Sequence, residues 1–503
     1  MFVRKKRNRS GVISVQVIDK SSGKYKMIKT IGSSSDGDQI ERLVKGGENW
    51  IKQKLGLLEI DFSNERQKVE QFFESIEQIT VHGTELLLGK IFDEIGFNQI
   101  PDVLFRQLVL ARLCFPVSKL KTTDYLTKYQ FFSIDVQNIY RYLDKFYRTQ
   151  KEAVQQISYD HTLKVLGGEI SIIFYDVTTL YFEIDDEDDL RKTGFSKEGK
   201  HQNPQIVLGL LVSVEGYPLA YEIFEGNKFE GHTMLPVIEA FKIKYNLNNL
   251  VIIADSGLLS NDNIQDLQQE GYDFILGARI KAESRTVKKK ILSLQLRHGE
   301  SKIISKSDKI KLIISYSDSR AKKDKTNREK GLRKLEKQIK SGRLTKANIN
   351  NRGYNKYLKL DGEVKISIDK EKFALDAKWD GLKGYLTNTT LTKEGIIENY
   401  GHLWKIEKAF RISKHDLRIR PIYHRLHRRI EAHICIAFVS YKVYKELERQ
   451  LDVEKATLSP EKAIVIAKTI YSIKVKTPTN SEVVSKTILL TEEQKILADL
   501  FNL

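Results

Sequence analysis

The run Leu250-Val251-Ile252-Ile253-Ala254-Asp255-Ser256-Gly257 decides the fold. Its five leading apolar residues make a strand buried on both faces, the kind that parallel sheets contain. It ends on a carboxylate and a glycine-containing turn, which is where open α/β sheets place ligand-binding groups. Upstream, Glu169 to Glu183, Pro204 to Val214 and Pro218 to Phe224 read as three strands with short links, Gly216 marking a turn. Antiparallel pairing is expected for them. Thr233 to Tyr245 reads as a helix, and Ser260 is placed to cap another that runs to Glu270, ahead of a second buried strand at Phe274 to Leu276. Connections through helices favour parallel pairing of these later strands. The fold class is therefore α/β.

Flanking segments differ in character. Residues 11 to 31 alternate around the break Asp19-Lys20-Ser21-Ser22-Gly23, a hairpin signal, and Asp38 is placed to cap the helix that follows. Residues 64 to 165 show helical periodicity, and Ser133 to Leu143 has the form of part of a helix-turn-helix. Strand signal returns at Gly384-Tyr385-Leu386-Thr387, followed by one long helix over Lys393 to Lys414 and another over Tyr423 to Leu451. At roughly 150 residues per domain, 503 residues make about three domains. The expected divisions are an N-terminal β-hairpin and helix module (1–60), a helical, DNA-binding region (61–168) and the first part of a core (169–280). A basic insertion (281–382), the second part of the core (383–451) and a C-terminal extension (452–503) complete them.

Composition narrows the function. Hydrophobic residues make up 41% of the chain, enough for a sizeable core, so global disorder is excluded. Two cysteines exclude a disulfide scaffold and a four-cysteine zinc site. No apolar run approaches the roughly 20 residues of a membrane helix, and Met1-Phe2-Val3-Arg4-Lys5-Lys6 does not open a secretory signal. A soluble, cytoplasmic protein with no membrane partner is expected. The net charge is +18, which calls for an anionic partner, nucleic acid first. Residues 281 to 360 hold 25 Lys and Arg against 7 Asp and Glu, a surplus as large as the whole chain's. Charge of one sign self-repels unless a polyanion neutralises it. Lys322, Lys323 and Lys325, on a charged helix read over Lys322 to Lys340, are the expected DNA contacts of this block.

Three carboxylates carry the chemistry. Asp176 sits inside Ile172-Ile173-Phe174-Tyr175-Asp176-Val177, where desolvation is costly unless a cation neutralises it. The alternative places it on the wet face of a half-exposed strand. Asp255 ends its apolar strand, as a ligand or as a turn residue. Glu407 lies on a helical stripe with Tyr400, Leu403, Trp404, Arg411 and Lys414. Taken alone, a mid-helix glutamate is usually solvent-facing. Three such groups together suit hard divalent cations, which take a few carboxylates plus substrate phosphates, and two such ions serve phosphodiester chemistry. The chain has no Walker loop, no H-E-x-x-H and no cysteine nucleophile motif to compete with this.

In the order and spacing of these pieces the chain resembles bacterial insertion-sequence transposases of the DDE class, in the branch marked by a Y-x2-R-x3-E-x6-K signature. Tyr400, Glu407 and Lys414 match it, while Leu403 stands at the arginine position. Further matches are Tyr175-Asp176-Val177-Thr178-Thr179-Leu180, Ser196-Lys197-Glu198-Gly199-Lys200, Gly226-Asn227, Ala254-Asp255-Ser256-Gly257 and Arg420-Pro421-Ile422-Tyr423-His424-Arg425. The likeness spans most of the chain and is weakest in residues 1 to 80. It implies a ribonuclease-H-like catalytic core with a basic, largely β insertion, and an N-terminal β-hairpin plus helical region that recognises terminal inverted repeats. It implies that Asp176, Asp255 and Glu407 are catalytic and bind two Mg²⁺ or Mn²⁺ ions. Tyr400 and Lys414 would contact the end phosphate, and Arg411 or Lys405 would stand in for the signature arginine. Trp404 would stack on a base or pack the helix, packing being the commoner role. The implied enzyme cleaves transposon ends, joins the 3′-hydroxyl to target DNA, passes through a hairpin in cut-and-paste fashion, and works as a homodimer on nucleoid DNA. The alternatives are a metal-dependent nuclease of the same fold without strand transfer, and a catalytically inactive DNA-binding derivative.

Overall fold

The computed structural model describes every residue except 22, 56–68, 198, 248–249, 259, 351–352, 362–364 and 478–481, and only the backbone of 147–149. The chain falls into two units, Met1–Gln78 with Ile473–Lys486, and Ile79–Ser472 with Thr487–Leu503. In the smaller unit the expected hairpin forms: β2 (Ile13–Asp19) pairs antiparallel with β3 (Lys26–Ser34), and β1 (Phe2–Arg7) flanks β2. Helix α1 (Gly37–Lys54) follows. Its cap is Asp36, whose carboxylate accepts the Asp38 amide at 2.9 Å, instead of Asp38. Asp36 has the extended backbone that a cap requires, and Asp38 is already helical. The boundary expected at residue 60 lies outside the described residues.

The larger unit is built on one eight-stranded sheet. β4 (Ile172–Tyr181), β5 (Gln205–Ser213) and β6 (Pro218–Glu225) pair antiparallel, as expected. β7 (Val251–Ala254) then lies parallel to β4, and β8 (Asp273–Ala278) parallel to β7. Two further strands come from inside the basic segment. β9 (Ser301–Ser305) and β10 (Lys311–Tyr316) pair with each other, and β10 pairs with β11 (Leu382–Thr387), which pairs with β8. The full order is β9-β10-β11-β8-β7-β4-β5-β6. The basic segment is thus rooted in the core sheet. Its longest element is a helix (Asp318–Lys340), although mostly β structure was expected there.

Side chains alternate along a strand, and both faces of this sheet are apolar. Ile173, Tyr175, Ile252, Ala254 and Phe274 share a core with the helices Met234–Tyr245 and Asn261–Gln269. Phe174, Leu180, Ile253, Ile275 and Tyr385 face the other way, into a core with the helix His427–Val453. Helices Val103–Cys114, Lys119–Gln130, Val136–Thr149 and Lys151–Val165 occupy most of the stretch expected to be helical, although Ile76–Val81 is a strand. Its Ile76, Ile79, Thr80 and Val81 are β-branched, which favours the extended state. Both cysteines are free and buried. Among the described residues no helix is long and apolar enough to cross a membrane.

The single helix expected over Lys393 to Lys414 is broken into Lys393–Gly401 and Trp404–Arg411, with a wide turn at Ile412–Asp416. The amides of His402 and Leu403 reach back three residues, to Asn399 and Tyr400, which tightens the backbone there. Leu403 is drawn into the core at this point. Tyr400 and Glu407 therefore do not share one uninterrupted helical stripe.

Gly209 of β5 sits opposite Val177, and a methyl added there would come within 2.5 Å of the hydroxyl oxygen of the fully buried Tyr175. Gly209→Ala should overpack the site next to Asp176 and lower stability by about 1–3 kcal/mol. A urea unfolding midpoint equal to that of the parent protein would contradict this.

Candidate active site

Sheet register brings the two aspartates together. The last paired row across β4, β7 and β8 is Tyr175, Ala254 and Leu276. One step further along the parallel strands come Asp176, Asp255 and Gly277, and Tyr385 of β11 lies opposite Gly277. By alternation all of them stand on the Phe174 face, against which the helix Trp404–Arg411 packs.

Asp176 is nearly enclosed. Its Oδ1 accepts the Val177 amide at 2.8 Å and lies 3.8 Å from the Lys197 Nζ. That ammonium also donates to the Val177 carbonyl at 2.8 Å and sits 3.2 Å from a Glu230 carboxylate. Burial pushes the Asp176 carboxyl up to about 7; Lys197 pulls it down, and the negative charge of Asp255 pushes it further up. Asp255 turns in its own loop, accepting the Gly257 amide at 2.7 Å, and the Gly257 carbonyl accepts from Arg279 at 3.3 Å.

Asp255 and Glu407 line one cleft of about 380 Å³, together with Arg320, Lys383, Tyr400 and Trp404. Tyr400 is buried, its ring edge-on to Tyr385 with centroids 5.0 Å apart and the Lys383 ammonium 4.4 Å from its own centroid. Burial and then Asp255 raise its hydroxyl above the ordinary tyrosine range. Burial, then the Arg320 charge, pushes the Lys383 ammonium down, and Glu407 opposes them. Arg320 and Lys383 also line a larger groove of about 890 Å³ against residues of the basic insertion. The acids within that groove are already engaged. Asp376 takes Lys281 at 2.6 Å and Lys356 at 2.9 Å, Asp380 takes Arg328, and Asp324 lies 3.7 Å from Arg320 itself while accepting the Gly381 amide.

Other expected residues are placed differently. Trp404 is 51% exposed at the cleft, so it does not pack the helix into the core, because the break at Leu403 turns it outward. Lys405 points away, donating to the Val214 carbonyl at 2.7 Å, and Arg411 is exposed and outside the cleft lining. Lys414 is half-buried near Asp176 and Lys197; burial and the Lys197 charge pull its ammonium down to about 8. Lys322, Lys323 and Lys325 are exposed on the Asp318–Lys340 helix. Glu198 lies outside the described residues.

The donor set tests what this site could hold. Asp176 and Asp255 bring hard oxygen donors and mutual repulsion into a partly desolvated row, which suits a hard divalent cation. Among the described residues no three His, Cys, Asp or Glu side chains are close enough to form a metal cluster, so Glu407 shares the cleft without closing on the aspartates.

The sequence profile of the family described as "Transposase DDE domain" matches residues 167–442, more than half of the chain. This chain belongs to the DDE transposases. No curated protein matches it in sequence. Among solved structures it is similar to a piggyBac transposase in a synaptic complex with hairpin DNA, at 9% identity over 73% of this chain and 69% of that one, with a TM-score of 0.39. It is also similar to a Mos1 transposase in a paired-end complex with a left transposon end, at 10% identity over 32% and 58%, with a TM-score of 0.16.

Sequence reasoning missed Lys197, Glu230, Arg320 and Lys383 of this transposase. Lys197 stood inside a quoted motif, and Lys383 precedes Gly384 at the right parity to share a face with Tyr385; Arg320 had no local signal. Gly277 also belongs to the site, since a methyl there would collide with the Tyr400 hydroxyl and stand 3.0 Å from the Ser256 nitrogen. Gly277→Ala should displace Tyr400 and lower DNA cleavage at least tenfold, in keeping with the cost of an ångström of misplacement near reacting groups. Cleavage at the parent rate by a correctly folded variant would remove Tyr400 from the site.

Proposed function

We propose that this transposase belongs to the Y-R-E-K branch found in bacterial insertion sequences, and that it moves its element by cut-and-paste. The observation that carries this is the placement of Asp176 and Asp255 on adjacent parallel strands, with Glu407 on the same cleft as Asp255. Asp176, Asp255 and Glu407 would hold two Mg²⁺ or Mn²⁺ ions. Such ions activate an attacking oxygen and stabilise the leaving one in phosphodiester displacement.

The chain's own groups have separable tasks in this reading. Water attacks at the transposon end and frees a 3′-hydroxyl, which then attacks a phosphodiester of target DNA. Arg320 and Lys383 neutralise the phosphate beside Glu407, a charge that Leu403 cannot supply. Trp404 offers an exposed ring on which a base at the cleft stacks. Tyr400 braces the cleft floor and Lys414 keeps positive charge beside Asp176. Lys322, Lys323 and Lys325 hold the DNA backbone along the insertion. The partners are terminal inverted repeats and target DNA, bound by a homodimer.

Pre-cleaved end DNA mixed with a plasmid target and Mg²⁺ should give joined product; nicking without joining would reduce the protein to a nuclease. Asp255→Ala should lower cleavage more than about 100-fold, beyond what loss of a supporting contact costs, while end binding persists. A variant that cleaves at the parent rate would refute the acid's role. Neutralising Lys322, Lys323 and Lys325 together should flatten the dependence of binding on log salt by about one unit per lost phosphate contact. An unchanged slope would return these lysines to a solubility role.

A further inference from the structure

A second cavity, of about 510 Å³, shares no lining residue with the catalytic cleft. It lies between the corner at Pro116–Lys121, the segment Arg418–His424 and His433 of the helix His427–Val453. Its wall contains Arg112, Lys119, His424 and His433 and no carboxylate. Arg112 is 6% exposed and Lys119 7% exposed. The hydrogen bond of Arg112 goes to the Leu417 carbonyl at 3.4 Å, a neutral acceptor. Neither side chain has an acid partner within ion-pair distance among the described residues. The His433 Nε2 shares a hydrogen bond with the Ile419 carbonyl at 3.0 Å, and its Nδ1 is buried without a partner. Lys119 also begins a 12-residue helix capped by Ser118, which adds the positive end of a helix dipole.

A buried guanidinium and ammonium side by side, without a counter-charge, are costly. Burial pulls Arg112 down to about 10 and holds Lys119 well below its ordinary range, where the Arg112 charge adds to the effect. Burial, Lys119 and Arg112 also drive His424 down to about 3. Nearby acid does not relieve this, because Asp144 is taken by Arg428 at 2.7 Å and Arg429 at 2.8 Å. An anion in the cavity would relieve it. The cavity has the size of a ligand pocket, larger than a bare tetrahedral oxyanion needs, and its mouth carries Tyr140 and the 71% exposed Tyr423. Aromatic faces beside buried cations suit a base attached to its phosphate.

We infer that this cavity holds a backbone phosphate of DNA at an unpaired or terminal nucleotide, with Arg112 and Lys119 at the phosphate and Tyr423 beside the base. The inference rests on membership of the DDE transposases and not on the assignment of the three acids.

Binding of a fluorescein-labelled ten-nucleotide single strand to the full chain in EDTA tests it, since no cleavage occurs there. Lys119→Met should weaken binding about tenfold and lower the salt slope by about one unit, as loss of one charge-assisted phosphate contact does. Tyr423→Ala, at an exposed position that folding does not need, should weaken binding severalfold with the slope unchanged. Thermal unfolding gives an independent readout. Without DNA, Lys119→Met should be at least as stable as the parent, because a buried unpaired charge is gone, and it should lose part of the stabilisation that the oligonucleotide gives. Unchanged affinity and slope in both variants would overturn the inference, as would stabilisation by inorganic phosphate or thymidine monophosphate but not by the oligonucleotide. If Asp255→Ala abolishes cleavage while the Lys119 and Tyr423 variants bind normally, this inference fails and the catalytic reading stands.

Discussion

The carboxylate of Asp176, pressed between apolar strands and level with Asp255 on the adjacent parallel strand, is the constraint around which the rest of the site is arranged. Taking a carboxylate out of water costs several kcal/mol unless a positive charge offsets it. The Lys197 ammonium answers part of that need from 3.8 Å, and it is shared with Glu230 and the Val177 carbonyl. With Asp255 raising the same carboxyl, the row stays short of positive charge. Other cations converge on it from separate parts of the chain: Lys414 near Asp176, and Arg320 and Lys383 at the cleft of Asp255 and Glu407.

The insertion has a structural role in this arrangement. Because β9 and β10 extend the core sheet beyond β11, the Asp318–Lys340 helix leaves the sheet directly after Tyr316. Arg320 is then two residues into a helix whose start is fixed by a strand, and its place in the cleft follows from that register. An insertion tethered only by loops could not position a guanidinium in this way. Arg320 thus reaches the cleft of Asp255 and Glu407 from the helix that follows β10.

Much of the core was legible because it rests on patterns of short range. Wholly apolar runs such as Val251–Ala254 and breaks such as Gly216 mark strands and turns without reference to the rest of the chain, whereas the common face of Asp176, Asp255 and Lys383 depends on sheet register, which no local pattern carries. Legibility ended where tertiary contacts override periodicity. Residues 393 to 414 have a helical pattern throughout, yet burial of Leu403 and two short-range amide bonds break the helix and turn Trp404 to solvent. Arg320 was indistinguishable from the other basic residues of its block, because nothing local distinguishes a cation at a cleft from one on a solvated face. The cavity at Arg112 was hidden for the same reason, its parts being spread from residue 112 to residue 433.

The +18 surplus therefore divides into two physical kinds. Exposed lysines on the Asp318–Lys340 helix keep their hydration, so their presence costs the fold little and their attraction for a polyanion is screened by salt. Arg112 and Lys119 have given up most of their hydration, which no surface charge does, and the fold tolerates them without a carboxylate. A group that is merely solubilising gains nothing from being buried. One that must grip a phosphate gains from a low-dielectric wall, where each contact is stronger. In the proposed roles, the exposed block would set how fast and how generally DNA is captured, and the buried pair would set where along the strand a particular phosphate comes to rest.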